Sequence, residues 1–362
     1  MNLTEKVQNL PLTPGVYLMK DSLGHIIYVG KAKQLRKRVQ SYFYNNKGHS
    51  PKVVQLVRHI RDLEYRLTDT EFEAFMLECQ LIKEIKPMYN KKMKNPLAYS
   101  YITIREDKAR RQIEVGYDSG QPGQLHFGPY TSRSTVERAV LGIKESQRIL
   151  CSSPHSQTSL CLNHSLGLCI GMCGGGEALD DYNTIIDRII ALLDGSDMGI
   201  LNDLEQRMGE AAERFDFEAA AKYRDYAGAV QALLQKEKVS KFTGENKNIA
   251  VLEPVDEQTF KLILIKGARI LFRTRLDTSG PDMKQLHSTV QSAIIEQFTA
   301  AAPERTGEIN RHTIDEAQII YSYLKSSSGS YLMVPQEWLG KKQEPLLDEA
   351  VQKLLEDYFD QW

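Results

Sequence analysis

No run of apolar residues in this 362-residue chain is long enough to cross a bilayer, so no membrane-spanning helix and no membrane partner are expected. The first residues, Met1-Asn2-Leu3-Thr4-Glu5-Lys6, lack the basic-then-apolar layout of a secretory signal. A cytoplasmic protein is therefore expected. Internal repeats and low-complexity tracts are missing too, which excludes solenoid and fibrous architectures. Net charge is nearly absent, at −1, and argues neither for nor against a polyanionic partner. Cysteine is scarce, with five in all.

What is present is more specific. A hydrophobic fraction of 41% supports compact cores, and the length suits two to four units. The charge is unevenly placed. Residues 1–95 hold 17 Lys/Arg against 9 Asp/Glu, a net of +8, which leaves −9 for the remainder of a chain whose total is −1. A basic module joined to an acidic one suggests that the first meets a polyanion. An uneven but uninformative surface is the competing explanation.

The pattern of residues predicts an α+β multidomain protein. Val16 to Met19 and His25 to Val29 read as a β-hairpin across Asp21-Ser22-Leu23-Gly24. Helices are expected over Ala32 to Tyr44, after Pro51, and from Thr70 to Ile85 with Pro87 as the stop. A third strand is expected at Glu64 to Thr68. The boundaries that follow are 1–97 for a small α/β unit, and 98–177 for strands, a helix from Ser134 and a cysteine-rich segment. A helical region of 178–242 and a mixed α/β region of 243–362 complete the chain. Gln121-Pro122-Gly123 reads as a turn, and Asp256, Asp277 and Asp282 read as turn residues. Strands at Ile249 to Leu252, Phe260 to Lys266 and Ile270 to Leu276 precede helices near 282–299 and 344–359.

The first unit collects the parts that phosphodiester hydrolysis requires. Gly15-Val16-Tyr17 is followed by Tyr28-Val29-Gly30-Lys31, Arg38, Leu77-Glu78-Cys79 and Pro87-Met88-Tyr89-Asn90. The attacking water must lose a proton, and negative charge builds on the phosphate oxygens. One carboxylate with waters suits Mg²⁺ (or Mn²⁺), so Glu78 is the candidate ligand. Lys31 and Arg38 suit the phosphate, and Tyr17 and Tyr28 suit proton transfer. A tyrosine is a poor base at neutral pH unless cations favour its ionised form. Each short motif is weak alone; their order and spacing together are not.

On these residues the unit resembles the GIY-YIG nucleases, and within them the UvrC family of bacterial nucleotide excision repair. Leu12-Thr13-Pro14-Gly15-Val16-Tyr17, Ile27-Tyr28-Val29-Gly30-Lys31-Ala32-Lys33 and Leu81-Ile82-Lys83 with Pro87-Met88-Tyr89-Asn90 carry the likeness. The resemblance implies one-metal cleavage on the 3′ side of a lesion in double-stranded DNA. It assigns Glu78 to the metal, Lys31 and Arg38 to the phosphate and Tyr28 to the base. Tyr17 becomes its neighbour, and Asn90 a structural or positioning residue.

Cys79 stands alone in a helical pattern and reads as a small buried apolar side chain. Cys151, Cys161, Cys169 and Cys173 crowd into 23 residues without the paired Cys-x2-Cys layout of common zinc ribbons. Four thiolates can hold Zn²⁺ or an iron–sulfur cluster, and both stay open, as does no metal. The likeness to UvrC, which extends through Phe127-Gly128-Pro129-Tyr130 and the closing cysteine spacings, implies a [4Fe-4S] cluster.

Leu201, Leu204, Met208, Ala211 and Ala212 form one helical stripe, and Phe215-Asp216-Phe217-Glu218-Ala219-Ala220 opens the next. This segment, about 200–235, resembles the UVR motif through which UvrC docks on UvrB, with UvrA engaged indirectly. Phe215 and Phe217 would be apolar anchors, Tyr223 part of the same face, and Glu218 and Arg224 rim charges. A hairpin closed on itself without a partner is the alternative. Residues 248–362 resemble UvrC only faintly. The carboxylates of its RNase H-like nuclease and its helix-hairpin-helix repeats would lie beyond the last residue, so a single incision is expected, with a natural short paralogue and a truncated product both open. Two rival functions are a stand-alone structure-selective nuclease like Cho and a non-catalytic regulator seated on UvrB.

Overall fold

The computed structural model describes residues 2–43, 48–107, 110–117, 124–153, 159–280, 282–301, 312–326, 330–340 and 343–361. The expected turn at Gln121-Pro122-Gly123 and the expected helix end at Tyr44 lie outside them. The chain divides into two compact units, one formed by residues 1–96 with 242–362, the other by 97–241.

The first unit begins with α1 (Leu3–Gln8), closed by a capping box between Asn2 and Glu5. Strands β1 (Gly15–Lys20), β2 (Ile26–Ala32) and β3 (Asp62–Leu67) form an antiparallel sheet in the order β2-β1-β3. Helices α2 (Leu35–Phe43) and α3 (Pro51–His59) cover one face of it with α1. The Thr70 hydroxyl accepts from Glu73 N and starts α4 (Glu71–Ile85), which covers the other face. Central strand β1 is buried on both sides: Tyr17 and Met19 face α2, whereas Val16 and Leu18 face α4. Its continuous apolar run follows from that double burial. The first two expected strands, the third strand and the α4 boundaries hold. Ala32, expected to open a helix, closes β2 instead, because Gly15 to Ala32 pairing extends the hairpin.

The second unit contains β4 (Ser100–Asp107), β5 (Arg110–Gly116) and β6 (Leu125–Tyr130), antiparallel in the order β5-β4-β6. Helices α5 (Arg133–Ser146), α6 (Leu162–Ser165), α7 (Glu177–Asp194), α8 (Gly199–Glu213) and α9 (Phe217–Gly244) follow. One core joins the sheet, α5, the cysteine segment and the helical region through Ile102, Val136, Ile186, Leu204 and Val230.

The chain then returns to the first unit. Strands β7 (Asn248–Asp256), β8 (Thr259–Lys266) and β9 (Arg269–Asp277) form a meander, and β10 (Ser330–Val334) pairs antiparallel on β7. Helices α10 (Met283–Ala300) and α12 (Glu344–Gln361) cover one face around Phe260, Leu262 and Leu264. The other face, Ile249, Val251, Ile263 and Ile265, packs on α11 (Ile314–Ser326) and on Phe72 and Cys79 of α4. Helix α4 is thus enclosed by two sheets. Asp256, Asp277 and Asp282 cap turns or a helix through backbone N–H groups, as their sequence context indicates. Helices α1 and α11 and strand β10 were not anticipated from the sequence.

Candidate active site

The hairpin and α2 bring three phenols together. Tyr17, 1% exposed, shares a hydrogen bond of 2.9 Å between its hydroxyl and that of Tyr42. The Tyr28 ring lies 6.2 Å from both Tyr17 and Tyr42, centroid to centroid. Arg38, one turn before Tyr42, reaches its hydroxyl at 3.5 Å and places its guanidinium 5.3 Å from that ring's centroid. Gly30 sits opposite Tyr17, where a Cβ would come within 2.3 Å of the Tyr17 hydroxyl; the glycine of Tyr-Val-Gly makes room for the phenol. A Cβ on Gly15 would likewise fall 2.4 Å from the Arg66 carbonyl on the adjoining strand.

Glu78 faces this cluster from α4. Its carboxylate accepts from Lys31 N at 3.1 Å, tying the helix to β2. Lys31 lies inside β2, opposite Val16, rather than just past the strand end as its sequence position suggests. Its ammonium meets Glu71 at 2.8 Å and rests 4.3 Å above the Phe75 ring. Asn90, 8% exposed, accepts from Val29 N at 3.0 Å and donates to Val29 O at 2.9 Å, so it fastens β2 in place of a further strand.

Burial governs the protons here. It pushes the phenols of Tyr17 and Tyr28 well above their ordinary value, with neighbouring phenols adding to the shift and Arg38 pulling against it. Burial also raises the Glu78 carboxyl, opposed by the Lys31 N–H and by the charges of Lys31 and Arg38. The structure gathers all six expected residues in the same half of the unit: Tyr17, Tyr28, Arg38 and Glu78 around one centre, Lys31 beside it and Asn90 behind it. Sequence reading missed Tyr42 and Glu71. Tyr42 follows Arg38 by four residues, a spacing that puts both on one helix face.

The cysteine segment lies in the second unit. The sulfurs of Cys151, Cys161 and Cys173 fall within 4.8 Å of one another, and Cys151 and Cys161 are 3.8 Å apart. The N–H of Cys161 points at Cys173 Sγ at 3.3 Å, and the N–H of Gly171 at Cys169 Sγ at 3.4 Å. Such donors stabilise thiolates, so this set suits a metal group. Cys169 is fully buried and bridges Ile149 across the loop. Cys79 is fully buried in an apolar setting and takes no part.

At the corner between α8 and α9, Phe215 and Phe217 are 79% and 68% exposed, an unusual position for two large apolar rings. The Asp216 carboxylate accepts from Ala219 N at 3.0 Å, which starts α9 and holds the two phenylalanines on either side. Tyr223 packs partly into the core, Glu218 is exposed, and Arg224 pairs with adjacent Asp225 at 2.9 Å.

Residues 13–91 match the UvrC-like GIY-YIG domain, 99–192 the middle domain of the UvrC/Cho excinuclease, and 199–233 the UvrB/uvrC motif. UvrABC system protein C of Caldanaerobacter subterraneus is 33% identical over 371 residues, covering 98% of this chain and 58% of the relative. Its counterpart in Moorella thermoacetica is 33% identical, covering 99% of this chain and 59% of the relative. The chain thus spans a little under three-fifths of the length of these curated relatives. Among solved structures, the magnesium-bound GIY-YIG N-terminal endonuclease domain of UvrC from Thermotoga maritima shares 39% identity. It covers 24% of this chain and 94% of its own, with a TM-score of 0.22. Among the described residues, no helix is long and apolar enough to cross a membrane.

Proposed function

The chain belongs to the UvrC family, and from that premise we propose that it is the metal-dependent endonuclease subunit of nucleotide excision repair, cutting one strand on the 3′ side of a lesion. The observation that carries the reading is the Glu78 carboxylate held on the Lys31 N–H, opposite Arg38 and three phenols. Mg²⁺ or Mn²⁺ bound at Glu78 would offset phosphate charge and acidify the attacking water. The chain's own residues do the rest. The Tyr17–Tyr42 hydrogen bond fixes two phenols and leaves Tyr28, the less buried, to accept the proton as the phenolate that Arg38 and a cation bound at Glu78 would favour. Arg38 and Lys31 are the cations for the phosphate, and Lys31 must leave Glu71 to reach it. Asn90 keeps β2, and with it Tyr28 and Lys31, in register.

Recruitment is assigned to the corner of the α8–α9 hairpin. Phe215 and Phe217 are exposed and lie edge to face with centroids 6.2 Å apart, which suits anchors for UvrB, and UvrA enters through that complex. Glu218 serves the rim of that contact, and Arg224 reaches it by exchanging Asp225 for a partner carboxylate. The four cysteines are read as ligands of a [4Fe-4S] cluster, with Zn²⁺ as the rival occupant that iron, sulfide and zinc analysis of purified protein separates. The UVR match speaks against a stand-alone Cho-like nuclease. Intact Glu78, Lys31 and Arg38 speak against a non-catalytic regulator.

The test is an end-labelled lesion duplex incubated with UvrA, UvrB and this chain in Mg²⁺. One nick 3′ of the lesion is expected. No nick, or a nick that Glu78→Ala leaves unchanged, overturns the proposal.

A further inference from the structure

The nuclease unit pairs some of its lysines with acids and sets others against one another. Lys6, Lys20 and Lys83 each meet a carboxylate, on Asp62, Glu64 and Glu316. Lys52, in the first turn of α3, has Lys91 and Lys94 as its charged neighbours instead. Burial, and then the charges of those two lysines, hold the Lys52 ammonium below its ordinary value. Among the described residues, none of the three has a carboxylate partner. The sequence explains why: no Asp or Glu occurs between Asp21 and Asp62, nor between Glu84 and Glu106. Neither α3 nor the segment after α4 has an acid of its own to offer. Like charges held together raise the free energy of the fold until an anion joins them.

The fold sets this group beside the catalytic edge of the sheet. Strand β2 is an edge strand, and the chain after α4 runs along it. Tyr89 N donates to Ile27 O at 2.9 Å, and Asn90 holds both backbone atoms of Val29. Glu78 takes the next outward N–H, that of Lys31, about 7 Å beyond Val29 at the spacing of alternate strand residues. Tyr89 on Ile27 and Asn90 on Val29 carry the chain toward Lys31, with Lys91 the next residue. Helix α3 lies beside the same segment. His59 in its last turn meets Tyr89, ring centroids 5.9 Å apart, and Lys52 lies about 10 Å away along the helix. A DNA strand carries one phosphate per about 3.4 Å of helix axis, so the lysines fall within a few nucleotides of a phosphate at Glu78.

We propose that Lys52, Lys91 and Lys94 together hold one backbone phosphate of the DNA strand being cut, a few nucleotides from the scissile one. The proposal rests on the nuclease reading of the adjacent site. It adds a second anchor to that site, which sets the register of the strand over Glu78. Such a contact positions the strand and reads no sequence. A phosphate there relieves the mutual repulsion of the lysines, so the group favours binding at the expense of the free protein's stability.

The experiment compares the full chain with its Lys52→Gln/Lys91→Gln/Lys94→Gln variant. Binding to a plain duplex in EDTA is followed by fluorescence anisotropy across a range of KCl. The slope of log Kd against log salt should become shallower by about 1, the counterion of one phosphate, and by the same amount on two unrelated sequences. Thermal melts should show the variant at least as stable as wild type, the reverse of what losing structural ion pairs would give. With UvrA and UvrB, single neutral methylphosphonates are then walked along the cut strand of the lesion duplex. Wild type should show one non-scissile position that raises KM; the variant should start from a raised KM and lose that penalty, with kcat little changed. An unchanged salt slope, or a penalty equal in both proteins, overturns the phosphate site and leaves the nuclease reading standing. A slope change near 3 means separate phosphates and overturns the single site. An unchanged slope with DNA-free UvrB pull-down lost assigns the lysines to an acidic protein surface and overturns it too. A shallower slope in a chain that never cuts keeps the anion site and sinks the nuclease reading.

Discussion

Two acidic residues of helix α4, Glu78 and Glu73, face the two sheets that enclose it, and they are treated differently. Toward β2 stands Glu78, half-buried, which accepts from the Lys31 N–H and has a guanidinium nearby. Toward β8 and β9 stands Glu73, 3% exposed, which Lys261 meets at 2.8 Å and Arg273 at 3.2 Å. Asp69 joins the same group through Lys261 and Arg275. The second arrangement is saturated and has no spare capacity for a ligand. The first has fewer charged partners, which suits the cation site proposed there. On that proposal one helix carries a structural carboxylate and a functional one, distinguished by how many cations the fold gives each.

Three substitutions break or sharpen that contrast. Glu78→Ala removes the carboxylate with fewer charged partners, and cutting in Mg²⁺ should fall by at least about a hundredfold, the scale of losing one transition-state stabiliser. DNA binding, followed by fluorescence anisotropy, should hold. Lys261→Met should act on stability instead, by about 3–5 kcal/mol in chemical denaturation, because Glu73 keeps its burial and loses its nearest cation. Adding Glu73→Gln should recover most of that loss, since the uncompensated charge is gone.

Away from α4 the expected effects are smaller. Phe217→Ala should weaken UvrB pull-down by about 2 kcal/mol while leaving the cutting chemistry intact, and unchanged pull-down would count against the hairpin anchor. Glu253 tests burial that outweighs hydrogen bonding, here with Thr70 and Tyr323. Its folded pKa, about 7, lies above the ordinary 4.5, so protonation favours the fold. Stability from this group is fully present at low pH and is lost as pH climbs from about 4.5 to about 7, by up to about 1.4 kcal/mol per unit. Above that window nothing further is lost. Glu253→Gln should flatten this slope in melts taken across the window.

Much of the nuclease half was legible because its signals are local. Thr70 as cap and Pro87 as stop bound α4, and the turn Asp21-Ser22-Leu23-Gly24 fixed the hairpin that sets Tyr17 beside Tyr28. Tyr42 was passed over because a tyrosine on an apolar helix stripe reads as packing, and its role appears only once its hydroxyl meets that of Tyr17. Glu71 reads as an ordinary first-turn acid until Lys31 is placed on it. The second sheet was legible only in part. Strand β10 is five residues long and pairs with β7 about 80 residues earlier, a contact with no local trace. Phe72, Met76 and Cys79 announced a buried face of α4, but what covers it comes some 170 residues or more later in the chain. Sequence periodicity says that a face is buried, and not by what.

Mn²⁺ titrated into the full chain and followed by electron paramagnetic resonance, with Mg²⁺ as competitor, addresses the coordination of Glu78 without any cutting assay. One Mg²⁺-displaceable ion should bind to wild type and vanish in Glu78→Ala, with the ion count falling at acidic pH above the usual glutamate range because burial raises that carboxyl. Equal Mn²⁺ binding in wild type and Glu78→Ala would contradict the assignment of this carboxylate as the metal's anchor.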